Sequence, residues 1–165
     1  MNKLEHVTHT LSPVYDQNSK ILILGSIPSP KSREVGFYYT HPQNRFWKIM
    51  AALFNEPLPS TNEERKQLVL KHHIALWDVL QECEIKGADD QSIANIVVNP
   101  IEDLLKETKI TKIYTTGKKA TQLYQKYCLK RTGIEAIYLP STSPANCRYY
   151  TLEDLIQEYR CLLDL

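Results

Sequence analysis

Two segments gather most of the residues able to do chemistry: Gly25 to Trp47, GSIPSPKSREVGFYYTHPQNRFW, and Leu139 to Tyr150, LPSTSPANCRYY. Both are rich in small residues, prolines and hydroxyls, and the first adds a row of aromatics. Small, proline-punctuated turns let a ligand approach backbone amides closely. Hydroxyls add polar contacts, and aromatic rings add flat faces. The first segment follows the apolar run Ile21-Leu22-Ile23-Leu24 and precedes an amphipathic stretch, Asn44 to Phe54. As a connector it is long, since strand–helix connections usually run about 2–6 residues. Long ordered loops at the carboxyl end of a buried strand are where α/β proteins hold ligands. No G-x-G-x-x-G or Walker-type loop is present, so a nucleotide cofactor is not indicated.

Bulk properties narrow the class. A chain of 165 residues makes one domain, 1–165, the default. Hydrophobic residues make up 42%, enough for a core, and charged residues 24%, an ordinary soluble value. A net charge of +1 does not by itself announce nucleic acid. No apolar run approaches the ~20 residues of a membrane span, and MNKLEHVTHTLSPVY lacks the apolar centre of a secretion signal. The expectation is a cytoplasmic protein, nucleoid-associated if prokaryotic, with no membrane partner. Cys83, Cys128, Cys147 and Cys161 form no C-x-x-C pair, so they read as reduced thiols and no metal is expected.

The elements that must position the two segments can be read from periodicity. Strands are expected at Ile21–Leu24, Ile74–Asp78, Lys112–Thr116 and Glu135–Leu139. Helical patterns separate them. Ser60-Thr61-Asn62-Glu63 fits a capping box opening a helix to about His72. Ile101 to Thr108 and Lys118 to Tyr127 continue the helical period. A last helix opens at Thr151 with Leu155, Ile156, Tyr159, Leu162 and Leu163 on one side. Strand–helix alternation predicts an α/β fold: three-layer α/β/α with a central, mainly parallel four-stranded sheet. Its strands end at Gly25-Ser26, Asp78, Gly117 and Pro140-Ser141, which should share one edge.

The two segments, in this order, resemble the uracil-DNA glycosylase superfamily. Within it, G-S-I-P-S followed by G-F-Y-Y-x-H-P-x-N-R-F-W is most similar to the hypoxanthine-DNA glycosylase branch. ALWDVL (Ala75 to Leu80), TGKKA (Thr116 to Ala120) and PSTSPAN (Pro140 to Asn146) extend the resemblance over nearly the whole chain. The pattern departs at two places. Ile27 stands where most of the superfamily has a water-orienting Asp or Asn. Leu139 stands where some uracil-specific members have a His that stabilises the departing base.

The resemblance implies a monofunctional DNA glycosylase acting on deaminated bases, chiefly hypoxanthine, without cofactor or metal. Its partner is DNA containing such a base, and the chain is expected to be a monomer. Cleaving an N-glycosidic bond passes through an oxocarbenium-like sugar, and the base must first leave the stack. A purine can depart after ring protonation, so it tolerates the loss of both polar helpers better than uracil does. Asn44 is the candidate catalytic residue, its amide oxygen holding water and facing the developing charge. The ordinary alternative is a helix cap. Gly25, Ser26, Ile27, Pro28 and Ser29 should form the first turn of the base pocket. Tyr39 should stack on the extruded base, a contact worth about 1–3 kcal/mol. His41 is a further pocket candidate, against a purely structural histidine.

Of the carboxylates near strand ends, Glu34 and Asp78, the latter reads as a local cap or pair. Phe37, Phe46 and Trp47 read as packing. Ser141, Thr142 and Ser143 can contact phosphates, with Pro144, Ala145 and Asn146 as the tip that fills the vacated stack. Lys118 and Lys119 oppose a helix dipole that a bound phosphate would satisfy, and Arg148 is a similar candidate. Two alternatives stay open. One is a mismatch-specific uracil/thymine-DNA glycosylase. The other is a non-catalytic DNA-lesion binder or small nucleotide-binding module.

Overall fold

A computed structural model describes residues 4–9, 11–86 and 89–164. In chain order the elements are β1 (Glu5–Thr8), β2 (Ile21–Gly25), α1 (Pro30–Val35), α2 (Phe46–Phe54), α3 (Asn62–Lys71), β3 (Ile74–Asp78), β4 (Leu80–Lys86) and β5 (Asp89–Val98). They continue with α4 (Ile101–Lys106), β6 (Lys112–Thr116), α5 (Lys118–Tyr127), α6 (Leu129–Thr132), β7 (Ala136–Leu139), a 3-10 turn at Pro144–Asn146, α7 (Leu152–Tyr159) and a closing 3-10 turn at Arg160–Leu163.

The central sheet has the order β3-β2-β6-β7, and all its pairings are parallel. Ile21, Leu22, Ile23 and Leu24 are fully buried, as expected of a strand covered on both faces. Each such side chain contributes about 1.5–3 kcal/mol of apolar burial. Ile21 and Ile23 point to a core built with α2, α3 and α7 (Phe46, Ile49, Met50, Leu68, Val69, Leu155). Leu22 and Leu24 point to the opposite core, with Ile101 and Leu104 of α4 and Leu123 and Tyr124 of α5. This is the three-layer α/β/α arrangement.

The second face carries an element the periodicity did not predict. β1, β4 and β5 form a small antiparallel sheet, in the order β1-β4-β5. It adds Val7, Cys83, Ile85 and Ile93 to that core. The β4–β5 register slips repeatedly, so the apolar residues of β4 fall at Leu80, Cys83 and Ile85 rather than at alternate positions. β1 buries only Val7. Neither strand carries a clean period-two signal.

Two boundaries differ in detail. The cap of α3 sits one residue later than the motif suggested. Thr61 Oγ1 accepts the Glu64 N–H at 3.1 Å, and Glu64 reaches back to the Ser60 N–H at 3.3 Å. At the end of α7 the chain tightens into a 3-10 turn, which swings Leu163 outward while Leu162 stays buried.

The order β3-β2-β6-β7 places a topological switch at β2. The chain leaves β2 for β3 on one side and later returns to lay β6 on the other. A crevice outside the carboxyl ends of β2 and β6 follows, the usual ligand position in open α/β sheets.

Candidate active site

That crevice is a cavity of about 120 Å³, several times the room one ordered water needs. Its walls come from all four strand ends: Gly25 to Ser29 after β2, Asp78 at the end of β3, Thr116 at the end of β6, and Ser141 to Ser143 after β7. Ser32, Tyr38, Tyr39, Asn44 and Ile85 complete the lining. Two chain segments far apart in sequence therefore meet over one hollow.

The long first loop is ordered by its own bonds. Ser29 caps α1, its Oγ accepting the Ser32 N–H at 3.2 Å. Ser32 Oγ in turn accepts the Thr40 N–H at 3.2 Å. Gly36 ends α1 with φ +86, a left-handed conformation that glycine adopts freely. Trp47 Nε1–H donates to the Tyr38 carbonyl at 3.1 Å, locking the aromatic row to α2. Trp47 and Phe46 are buried core, and Phe37 stacks on Trp47 at 6.1 Å.

Tyr39 has φ +55, unusual for a residue with a side chain, at a cost of order 1–3 kcal/mol. Its ring stacks on Phe46 with centroids 4.0 Å apart and planes at 14°. The ring lines the cavity and is backed by the core. Its hydroxyl is buried without a hydrogen-bond partner among the described residues. Burial, and next the Asp78 charge, raise the Tyr39 phenol above its ordinary value. The Thr116 hydroxyl beside it eases that rise, although no bond of hydrogen-bonding geometry joins the two. Tyr38 is pushed up by the same two causes, and its hydroxyl donates to the Ser12 carbonyl at 3.1 Å.

Asn44 lies in the wall with its orientation set by two donors. Its Oδ1 accepts the Phe46 N–H at 2.9 Å and the Thr142 hydroxyl at 2.8 Å. An amide oxygen has two lone pairs, so both are in use. The expectation that this oxygen holds the attacking water is not what the geometry provides. The helix-capping alternative is present, and the group left without a protein acceptor among the described residues is the amide NH₂.

Asp78 is the one carboxylate among the described residues that line the cavity. It is buried, and its Oδ2 lies 2.9 Å from His9 Nε2. The local pairing expected of it is instead a pairing with the end of β1, far away in sequence. His9, Thr116, Ser32 and Tyr38 were not anticipated. Only Asp78 carried a signal, a carboxylate at the end of a buried strand.

The other expected residues divide. Gly25, Ser26, Ile27, Pro28 and Ser29 line the cavity. His41 does not, and its Nδ1 accepts the Gln43 N–H at 3.1 Å within its own turn. Thr142 is buried and spends its hydroxyl on Asn44 rather than facing outward. Ser141 Oγ accepts the Ser143 N–H and Ser143 Oγ accepts the Ala145 N–H, each at 3.1 Å. Asn146 Nδ2–H donates to the Ser141 carbonyl at 2.9 Å. Pro144, Ala145 and Asn146 therefore form a compact 3-10 tip, and Arg148 follows it on the surface. Lys118 is exposed and Lys119 half-buried at the start of α5. Leu139 is buried core.

The Uracil DNA glycosylase superfamily model matches residues 12–163, and the chain belongs to that superfamily. Among its relatives are two proteins named hypoxanthine DNA glycosylase. The Methanosarcina acetivorans protein is 37% identical, covering 82% of this chain and 86% of the relative. The Methanosarcina barkeri protein is 35% identical with the same coverage. A solution NMR structure of a uracil DNA glycosylase candidate from Methanosarcina acetivorans superposes with a TM-score of 0.79 at 30% identity. That match covers 94% of this chain and 98% of the other.

Proposed function

We propose that this chain is a monofunctional DNA glycosylase that hydrolyses the N-glycosidic bond of deaminated bases, chiefly hypoxanthine, in DNA. One observation carries the reading. A flat ring backed by the core, Tyr39 on Phe46, and an amide NH₂ without a protein acceptor, Asn44, share one cavity at the sheet's switch point. An extruded base rests on the Tyr39 face, a contact worth about 1–3 kcal/mol. The Asn44 NH₂ and the backbone around Ser26 to Ser29 meet its polar edge. The Pro144–Asn146 tip enters the gap it leaves, while Lys118, Lys119 and Arg148 lie toward the phosphates.

No lysine is among the described residues lining the cavity. This supports water as the nucleophile, which leaves an abasic site in an unbroken strand. Leu139 offers no hydrogen bond to a departing uracil anion. A purine that leaves after ring protonation needs no such donor, and this favours hypoxanthine. The protein acts as a monomer.

The test uses purified protein and a duplex carrying one deoxyinosine. Alkali should cut the treated strand at the lesion, and the untreated strand should stay whole. No alkali-dependent cleavage above the no-enzyme control would overturn the reading. Faster excision of uracil from a competing deoxyuridine duplex would replace hypoxanthine with uracil as the chief substrate.

A further inference from the structure

With the Asn44 oxygen occupied and Ile27 apolar, one anion among the described residues lining the cavity is able to face a cationic sugar. We propose that Asp78 is that anion and the holder of the attacking water, and that His9 is its positioning residue. The inference rests on the glycosylase reading above.

Three observations point the same way. Asp78 is buried, with only 3% of its surface exposed, yet it lines the cavity. His9 holds one oxygen, Oδ2, at 2.9 Å, and both side chains are almost wholly buried. The other oxygen, Oδ1, has no hydrogen-bond partner among the described residues. A carboxylate fixed through one oxygen, with no described residue bonded to the other, is placed to accept a hydrogen bond from the cavity side, and water supplies it.

Gly25 is what lets that oxygen reach the cavity. A Cβ at this position would stand 2.6 Å from Asp78 Oδ1, with Tyr39 Oη at 3.6 Å and Thr116 Oγ1 at 3.7 Å. Any larger residue would displace the carboxylate. His9 approaches from the side of the antiparallel sheet, where its own N–H donates to the Gln81 carbonyl at 2.6 Å. With Asp78 ionised, His9 Nε2 is the donor.

The step balances as a hydrolysis. The bond from the sugar carbon to the base nitrogen breaks, and its electron pair leaves with the base. The base departs neutral, carrying a ring proton taken up from solvent before cleavage, which the proton that Asp78 later returns to solvent balances. The water oxygen bonds to the sugar carbon, and Asp78 Oδ1 accepts one of its protons before passing it to solvent. The products are free base and an abasic sugar, with no oxidant or reductant needed. Before the water adds, the fixed negative charge opposes the positive charge developing on the sugar, without reorganisation at the moment of reaction.

The test has two arms, each accompanied by melting curves. In the first, wild type, Asp78→Asn, His9→Ala and His9→Gln are compared in single-turnover excision from a deoxyinosine duplex, with affinity measured separately. Asp78→Asn should slow excision by about 100-fold or more while affinity changes less than about threefold. His9→Ala should act on the same rate constant, and His9→Gln, which keeps an N–H donor, should regain part of it. An Asp78→Asn rate near wild type would overturn the proposal. So would His9→Gln behaving no better than His9→Ala.

In the second arm, wild type binds duplexes holding a cationic pyrrolidine or a neutral tetrahydrofuran at the lesion. Wild type should prefer the pyrrolidine by about tenfold or more, and Asp78→Asn should lose the preference. No preference in wild type would overturn the proposal even if Asp78→Asn does not fold. Wild type that excises no hypoxanthine at all would instead reject the substrate reading.

Discussion

Asn44 shows why a residue's role depends on which end of it is free. Its oxygen is committed to Phe46 and Thr142, so only its NH₂ is available to a base. Asn44→Asp separates the two functions. A carboxylate keeps both accepted hydrogen bonds, and a negative charge is favourable at a helix start. It has no N–H to give. Its melting temperature should stay close to wild type while excision of hypoxanthine falls by about 100-fold, the scale of losing one aimed donor. Asn44→Ala should lose both, at a stability cost of about 1–2 kcal/mol. Differential scanning calorimetry beside single-turnover excision distinguishes them. An active Asn44→Asp protein would show that the amide is only a cap.

At the scale of elements, β2 does two jobs along its five residues. Ile21 to Leu24 fill both cores, and Gly25 opens the cavity. Gly25→Ala should therefore leave the strand intact and act on the carboxylate 2.6 Å away. We expect about 1–3 kcal/mol lower stability from overpacking, together with a fall in excision rate that affinity for the deoxyinosine duplex does not share. A Gly25→Ala enzyme of normal rate would show that Asp78 can shift without consequence. The parallel sheet was legible in the sequence because β2, β3 and β7 are short apolar runs, β6 is a β-branched and aromatic run, and loop signals follow each. The antiparallel sheet was not, because bulges in β4 break its alternation and β1 has one buried residue. The cavity walls after β2 and β7 were legible as odd composition. The His9–Asp78 pair was not, because a contact between the ends of β1 and β3 leaves no local pattern. Thr142 was misjudged for a related reason. A hydroxyl in a Ser/Pro-rich loop reads as outward-facing, and only the tertiary contact with Asn44 turns it in.

Over the whole molecule, the cavity lies where the two sheets adjoin. The parallel sheet supplies Asp78, and the antiparallel sheet delivers His9 from β1, a four-residue strand with three exposed positions. Short edge elements with little buried surface open at lower free energy than a core. β1 amides should thus exchange with deuterium well before those of β2, as hydrogen exchange read by mass spectrometry would record. Equal protection in the two strands would contradict this. The enzyme then has a thermal fuse: on warming, turnover should fade several degrees before circular dichroism records any melting, and return on cooling.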